Sequence, residues 1–87
     1  MVMIDFSFRS LTAAQSGRSV LNDHGIGALL SRAPKSISEL GCGYVLQVAE
    51  ADGARALAVL RHWGIGFRRI FRQLEGGSLQ EVGDDLF

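Results

Sequence analysis

Cys42 is the one cysteine in the chain, and it stands between Gly41 and Gly43. With no β-carbon on either side, a second molecule can approach the sulfur, and neighbouring backbone N–H groups can turn toward a thiolate. A free thiol with a pKa near 8.5 is roughly a few per cent thiolate at neutral pH, and a cation such as Arg32 or Lys35 raises that fraction. Nucleophilic sulfur chemistry is therefore the first expectation. The same residue types also suit a small buried hydrophobe ahead of a central strand. His24 and His62 are the remaining soft metal ligands and have no tight spacing to Cys42, so no metal and no cofactor is expected. Each histidine precedes a helix-ending glycine, where a cation meets the negative end of the helix dipole. No Gly-x-Ser-x-Gly elbow is present for a serine nucleophile.

The segment that carries Cys42 is longer than a hairpin needs. Ala33 to Gly43 holds the single proline, Pro34, and the single lysine, Lys35, as well as the cysteine. Ser36 and Glu39 form a capping-box pair, which predicts one helical turn over 36–40 ended by Gly41. Cys42 then falls at the mouth of a strand. Around this loop the chain repeats: Leu21-Asn22-Asp23-His24-Gly25-Ile26-Gly27 recurs 39 residues later as Leu60-Arg61-His62-Trp63-Gly64-Ile65-Gly66. The first glycine of each Gly-Ile-Gly suits the positive-φ position just past a helix end. Neither opens a helix, so neither is a phosphate loop.

Two β-α-β halves follow. Val2, Ile4, Phe6 and Phe8 alternate with polar or smaller residues and predict a first strand. Ser10 caps a helix through about His24, with Thr12 and Gln15 as a shifted capping box, and Gly17 marks a close approach to the sheet. Strands are predicted at about 26–32, 44–49 and 67–71, and a second helix from Asp52 to Trp63. The order β-α-β-β-α-β predicts an α+β, ferredoxin-like sandwich: four antiparallel strands with the first and third central, and two helices on one face. Met3, Val45 and the strand-two leucines would then line an open face that needs cover, from a homodimer contact or from the tail folded back on it.

Eighty-seven residues, 47% apolar and 21% charged, fit one domain, taken as 1–72. Formal charge is zero, but residues 1–72 hold all nine basic groups against five acids, and 73–87 hold four acids and no base. The latter reads as an acidic tail opening at Gly76-Gly77-Ser78. Arg68, Arg69 and Arg72 read as a solvated edge that meets it. Strand three offers Tyr44 as its sole aromatic, short of what an RNA-binding sheet needs, so no nucleic-acid partner is expected. No apolar run approaches the roughly 18 residues of a membrane span, and Met1-Val2-Met3-Ile4-Asp5 lacks the basic flank and apolar segment of a signal peptide. No membrane partner and a cytoplasmic location are the expectations.

Over roughly residues 4–72 the chain resembles the selenium/sulfur carrier-like family of small single domains. The resemblance rests on Phe8-x-Ser10, Ala14, Leu21 with Gly25-Ile26, Asp52 with Ala56, and Gly64-Ile65. Its specific part is Pro34, a basic residue, Ile37-Ser38, then Cys42-Gly43. The chain differs in having Lys35 where arginine is usual and Glu39-Leu40 where small hydroxyl residues often stand. The resemblance implies a sulfur or selenium atom carried on Cys42, with Pro34, Lys35, Ile37, Ser38 and Gly43 shaping its loop; Gly41 and Arg32 join them as anion-binding candidates from the residue types alone. It also implies a cysteine desulfurase or selenium-donor protein on one side and an acceptor protein on the other. A single cysteine cannot resolve its own adduct, so the protein is expected to be a shuttle more than an enzyme. The competing expectation is a non-enzymatic regulatory or assembly module that dimerises through its sheet, with Cys42 structural.

Overall fold

The computed structural model describes residues 2–83. Met1, and with it the start of the opening segment, and Asp84, Asp85, Leu86 and Phe87 of the expected tail lie outside the described residues. The elements are β1 (Met3–Phe8), α1 (Leu11–Asp23), β2 (Leu29–Arg32), α2 (Lys35–Ser38), β3 (Tyr44–Ala49), α3 (Gly53–His62), β4 (Arg69–Gln73) and β5 (Leu79–Val82). They form an α+β domain whose sheet has five strands, not the four expected, in the order β2-β3-β1-β4-β5. All four pairings are antiparallel.

The repeat builds two matching helix ends. Gly25 and Gly64 have φ of 74° and 66°. The amide of Ile26 donates to the Leu21 carbonyl and that of Ile65 to Leu60, both at 2.9 Å. Each isoleucine thereby closes its helix and directs the chain toward the sheet. At the other end of α1, Ser10 Oγ accepts from the Ala13 amide at 2.9 Å. Ser10 is the cap, and the shifted Thr12 box is not used.

One face of the sheet carries the main core. Ile4, Phe6, Phe8, Leu46, Val48 and Ile70 meet Ala14 and Leu21 of α1 and Ala56, Leu57 and Leu60 of α3. Gly17 lets α1 approach closely: a β-carbon there would lie 3.0 Å from Leu46 Cδ1 and 3.2 Å from Ile65 Cγ2.

The opposite face is also covered, and the cover comes from within the chain. Ile37, Cys42, Val45 and Phe71 form a second buried cluster, flanked by Ala33 and Leu79. Val45 is therefore not open to a dimer partner. Phe71 explains why the alternation in β4 looked blurred: Ile70 faces the helices and Phe71 the other layer, so both faces want apolar groups. The strand runs over 69–73, two residues later than expected, because the Arg68 and Arg69 amides are tied to Ser7, the latter through Ser7 Oγ at 3.0 Å. β4 is not an edge. β5 pairs with it, and Arg69 Nη1 donates to both carboxylate oxygens of Glu81 at 2.9 and 3.0 Å.

Candidate functional site

Residues 33–43 form a flap over the second face, and proline starts it. Pro34 has φ of −62° and leads directly into α2. Its carbonyl accepts from the Ile37 and Ser38 amides, both at 2.9 Å. The turn thus begins one residue earlier than the Ser36–Glu39 box predicts; proline's fixed φ sets the first turn without a side-chain cap. Ser38 Oγ donates to the Lys35 carbonyl at 3.1 Å. The turn ends at Gly41, whose φ of 90° suits glycine. At the base, the Ala33 amide donates to the Gly43 carbonyl at 3.0 Å, so the two ends of the flap are pinned together.

Cys42 is buried, 1% exposed, among Ile37, Val45 and Phe71. The access expected from its glycine neighbours is not present in this conformation. The reason is Ile37, which points from α2 onto the sheet and brings the flap down with it. Arg32 and Lys35 are exposed on the rim. Of the loop residues expected at the site, Ile37 packs with the cysteine, Gly41 and Gly43 flank it, and Pro34, Lys35, Ser38 and Arg32 sit on the solvent side. The backbone amides of residues 37 to 41 donate within the flap to Pro34, Lys35, Ile37 and Ser38 carbonyls. They hold its shape and are not turned toward the sulfur.

Next to the flap the sheet carries a cleft of about 490 Å³, lined by Asp5, Ser31, Gln47, Gln73, Ser36 and Ser78 among others. Val45 and Leu79 belong both to its wall and to the cluster around Cys42. Asp5 is 2% exposed. Burial pushes its pKa above the usual aspartate value, and hydrogen bonds from Gln47 and Gln73 oppose that rise without cancelling it. Alternation had marked Asp5 as a polar position on the outward face of the first strand. What hid its burial was the cover supplied by the flap and by β5.

The histidines stand apart from the cysteine's cluster. His24 Nδ1 donates to the Val20 carbonyl at 2.8 Å, so it caps its own helix. Both rings meet Trp63 edge-on, with centroids at 6.2 Å for His24 and 5.6 Å for His62. No helix among the described residues is long and apolar enough to cross a membrane.

A small α+β domain whose one cysteine closes a proline-led flap, packed under the flap's own Ile37, is the class that this fold and site define. The chain belongs to the family described as "Putative Se/S carrier protein-like", whose model matches residues 6–72, more than half of the chain. No curated protein and no solved structure matches it.

Proposed function

We propose that the protein carries sulfur or selenium on Cys42 and passes it to a partner. The observation that carries the reading is the place of Cys42, the single cysteine of a chain in this family, between Gly41 and Gly43 at the end of a flap whose Ile37 covers it. With the flap open, the Cys42 thiolate attacks the outer atom of a donor persulfide or selenopersulfide. Cys42-S-SH or Cys42-S-SeH forms, and the donor leaves as its thiolate. An acceptor nucleophile then takes the outer atom and returns Cys42 as thiolate. With no second cysteine, release goes outward to a protein or small thiol. A cysteine desulfurase or a selenium-donor protein is the donor class, and Arg32 and Lys35 on the rim favour an anionic donor group.

We read β1, α1, β2, β3, α3 and β4 as a ferredoxin-like unit to which β5 is added. The strand order and the two longer helices on one face support this. A cytoplasmic setting suits a free thiol.

A second reading has its own support. Cys42 sealed against Ile37, Val45 and Phe71 is what a structural cysteine in an assembly module looks like. The experiment that separates the two is intact mass after incubation with a cysteine desulfurase and cysteine. A carrier gains about 32 Da, the increment of one sulfur on a thiolate, and Cys42→Ser gains nothing. No gain on wild type, with the desulfurase shown active on a small thiol, leaves the assembly reading.

A further inference from the structure

Two buried polar side chains face away from the helices on β1, and they fare differently. Ser7 is satisfied: its hydroxyl donates to the Arg69 carbonyl at 3.2 Å and accepts from the Arg69 amide at 3.0 Å. Asp5 is not. Its carboxylate receives the Gln47 and Gln73 amides, yet among the described residues Oδ1 has no hydrogen-bond partner. Asp5 is one of the residues that line the cleft of about 490 Å³. A carboxylate left so is costly in a domain of this size, because a buried acceptor with no donor forfeits its hydration and gets nothing in return. Arg69, whose side chain shares the face, is committed to Glu81.

The ligand class follows from what surrounds the oxygen. Asp5 is the sole ionisable residue of the lining, which otherwise offers the hydroxyls of Ser31, Ser36 and Ser78 and the amides of Gln47 and Gln73. An anion would meet a carboxylate and no cation. A hard metal ion needs several oxygen ligands with more than one carboxylate; the lining has one, and no group of three or more His, Cys, Asp or Glu able to hold a metal exists among the described residues. A compact ammonium brings three donors and one positive charge, which matches one charged acceptor ringed by neutral hydroxyls and amides. The volume lies in the range of small-molecule sites. We propose that this cleft binds a small primary amine, with its ammonium group on the Asp5 carboxylate and its polar substituents on the serine hydroxyls.

The proposal does not rest on Cys42 carrying anything, and Cys42→Ser should bind as wild type does. The test is a titration of the ¹⁵N-labelled full chain with ethanolamine at neutral pH, followed at the side-chain amides of Gln47 and Gln73. Saturable shifts are expected with a dissociation constant of about 1–10 mM, as suits so few ligand atoms. Ethylene glycol, of similar shape but neutral, should bind at least about tenfold more weakly, since the charge-assisted bond is lost. Asp5→Asn should lose affinity by a similar factor while keeping a dispersed spectrum. The proposal is overturned by wild-type shifts that do not saturate by about 100 mM, by equal binding of ethylene glycol, or by binding that survives in Asp5→Asn. The comparison of the two ligands on wild type decides the matter even if the variant fails to fold.

Discussion

Asp5 and Ser7 occupy equivalent positions on one strand, and the difference between them is a free-energy difference in the folded state. A group whose folded pKa lies above its unfolded value adds stability that is complete below the unfolded value and is lost as pH rises through the folded one. Asp5 is such a group. Asp5→Asn keeps the shape and removes the charge. Its stability relative to wild type should therefore rise as pH climbs between the usual aspartate pKa and the raised one, then stay flat. Chemical denaturation of both proteins at several acidic and neutral pH values measures this, and the expected gain at neutral pH is about 1–2 kcal/mol. The titratable pair nearest in the sheet on that face, Arg69 with Glu81, is common to both proteins and cancels. A flat difference across the whole range would mean that the carboxylate suffers no penalty from burial.

The flap is the element on which the proposed chemistry turns. Opening it uncovers Ile37 and Cys42, at a cost of about 3 kcal/mol if their apolar area is all that resists. The open state would then be populated to less than about 1%, and reaction of the thiol would be slowed by about a hundredfold or more. Iodoacetamide should label native Cys42 that much more slowly than the urea-unfolded chain. Ile37→Ala should speed native labelling by about tenfold or more with little change in the main core, because Ile37 packs only in the second cluster. If labelling instead tracks global unfolding in both proteins, the flap is not an independent unit. Gly17 tests the other layer. Ala there gains about 1 kcal/mol of helix propensity but drives a β-carbon to 3.0 Å from Leu46 Cδ1. Overpacking of about 1–3 kcal/mol should win, so Gly17→Ala is expected to melt lower. The elements around these two residues were largely legible: the repeated Gly-Ile-Gly, the Ser10 cap and the period of β1 each report a local preference that the fold keeps. The flap was legible as an excess of length, but its closure was not. Whether Ile37 lands on the sheet depends on Val45 across the turn and on Phe71, which is distant in sequence, and no local pattern encodes that meeting.

At the scale of the whole molecule, both faces of the sheet are covered by one short chain, and the last described strand makes that so. Leu79-Gln80-Glu81-Val82 places one apolar residue on each face of the sheet and follows a glycine turn, with Gly76 and Gly77 at φ of 83° and 86°. An acidic composition masked that pattern and suggested a tail. Leu79 closes the second cluster, Val82 reaches the first, and Glu81 holds Arg69. The ion pair itself is exposed and contributes at most about 1 kcal/mol, so the strand's value lies in its backbone pairing and its two apolar contacts. A chain ending at Gly77 should therefore lose several degrees of melting temperature and present β4 as a bare edge. Bare edges recruit one another. Light scattering behind size exclusion should then find dimers or larger species whose proportion grows with concentration, where Arg69→Ala, which removes only the ion pair, behaves as the full chain does. A truncated chain that stays monomeric and equally stable would show that β5 adds nothing the four preceding strands require.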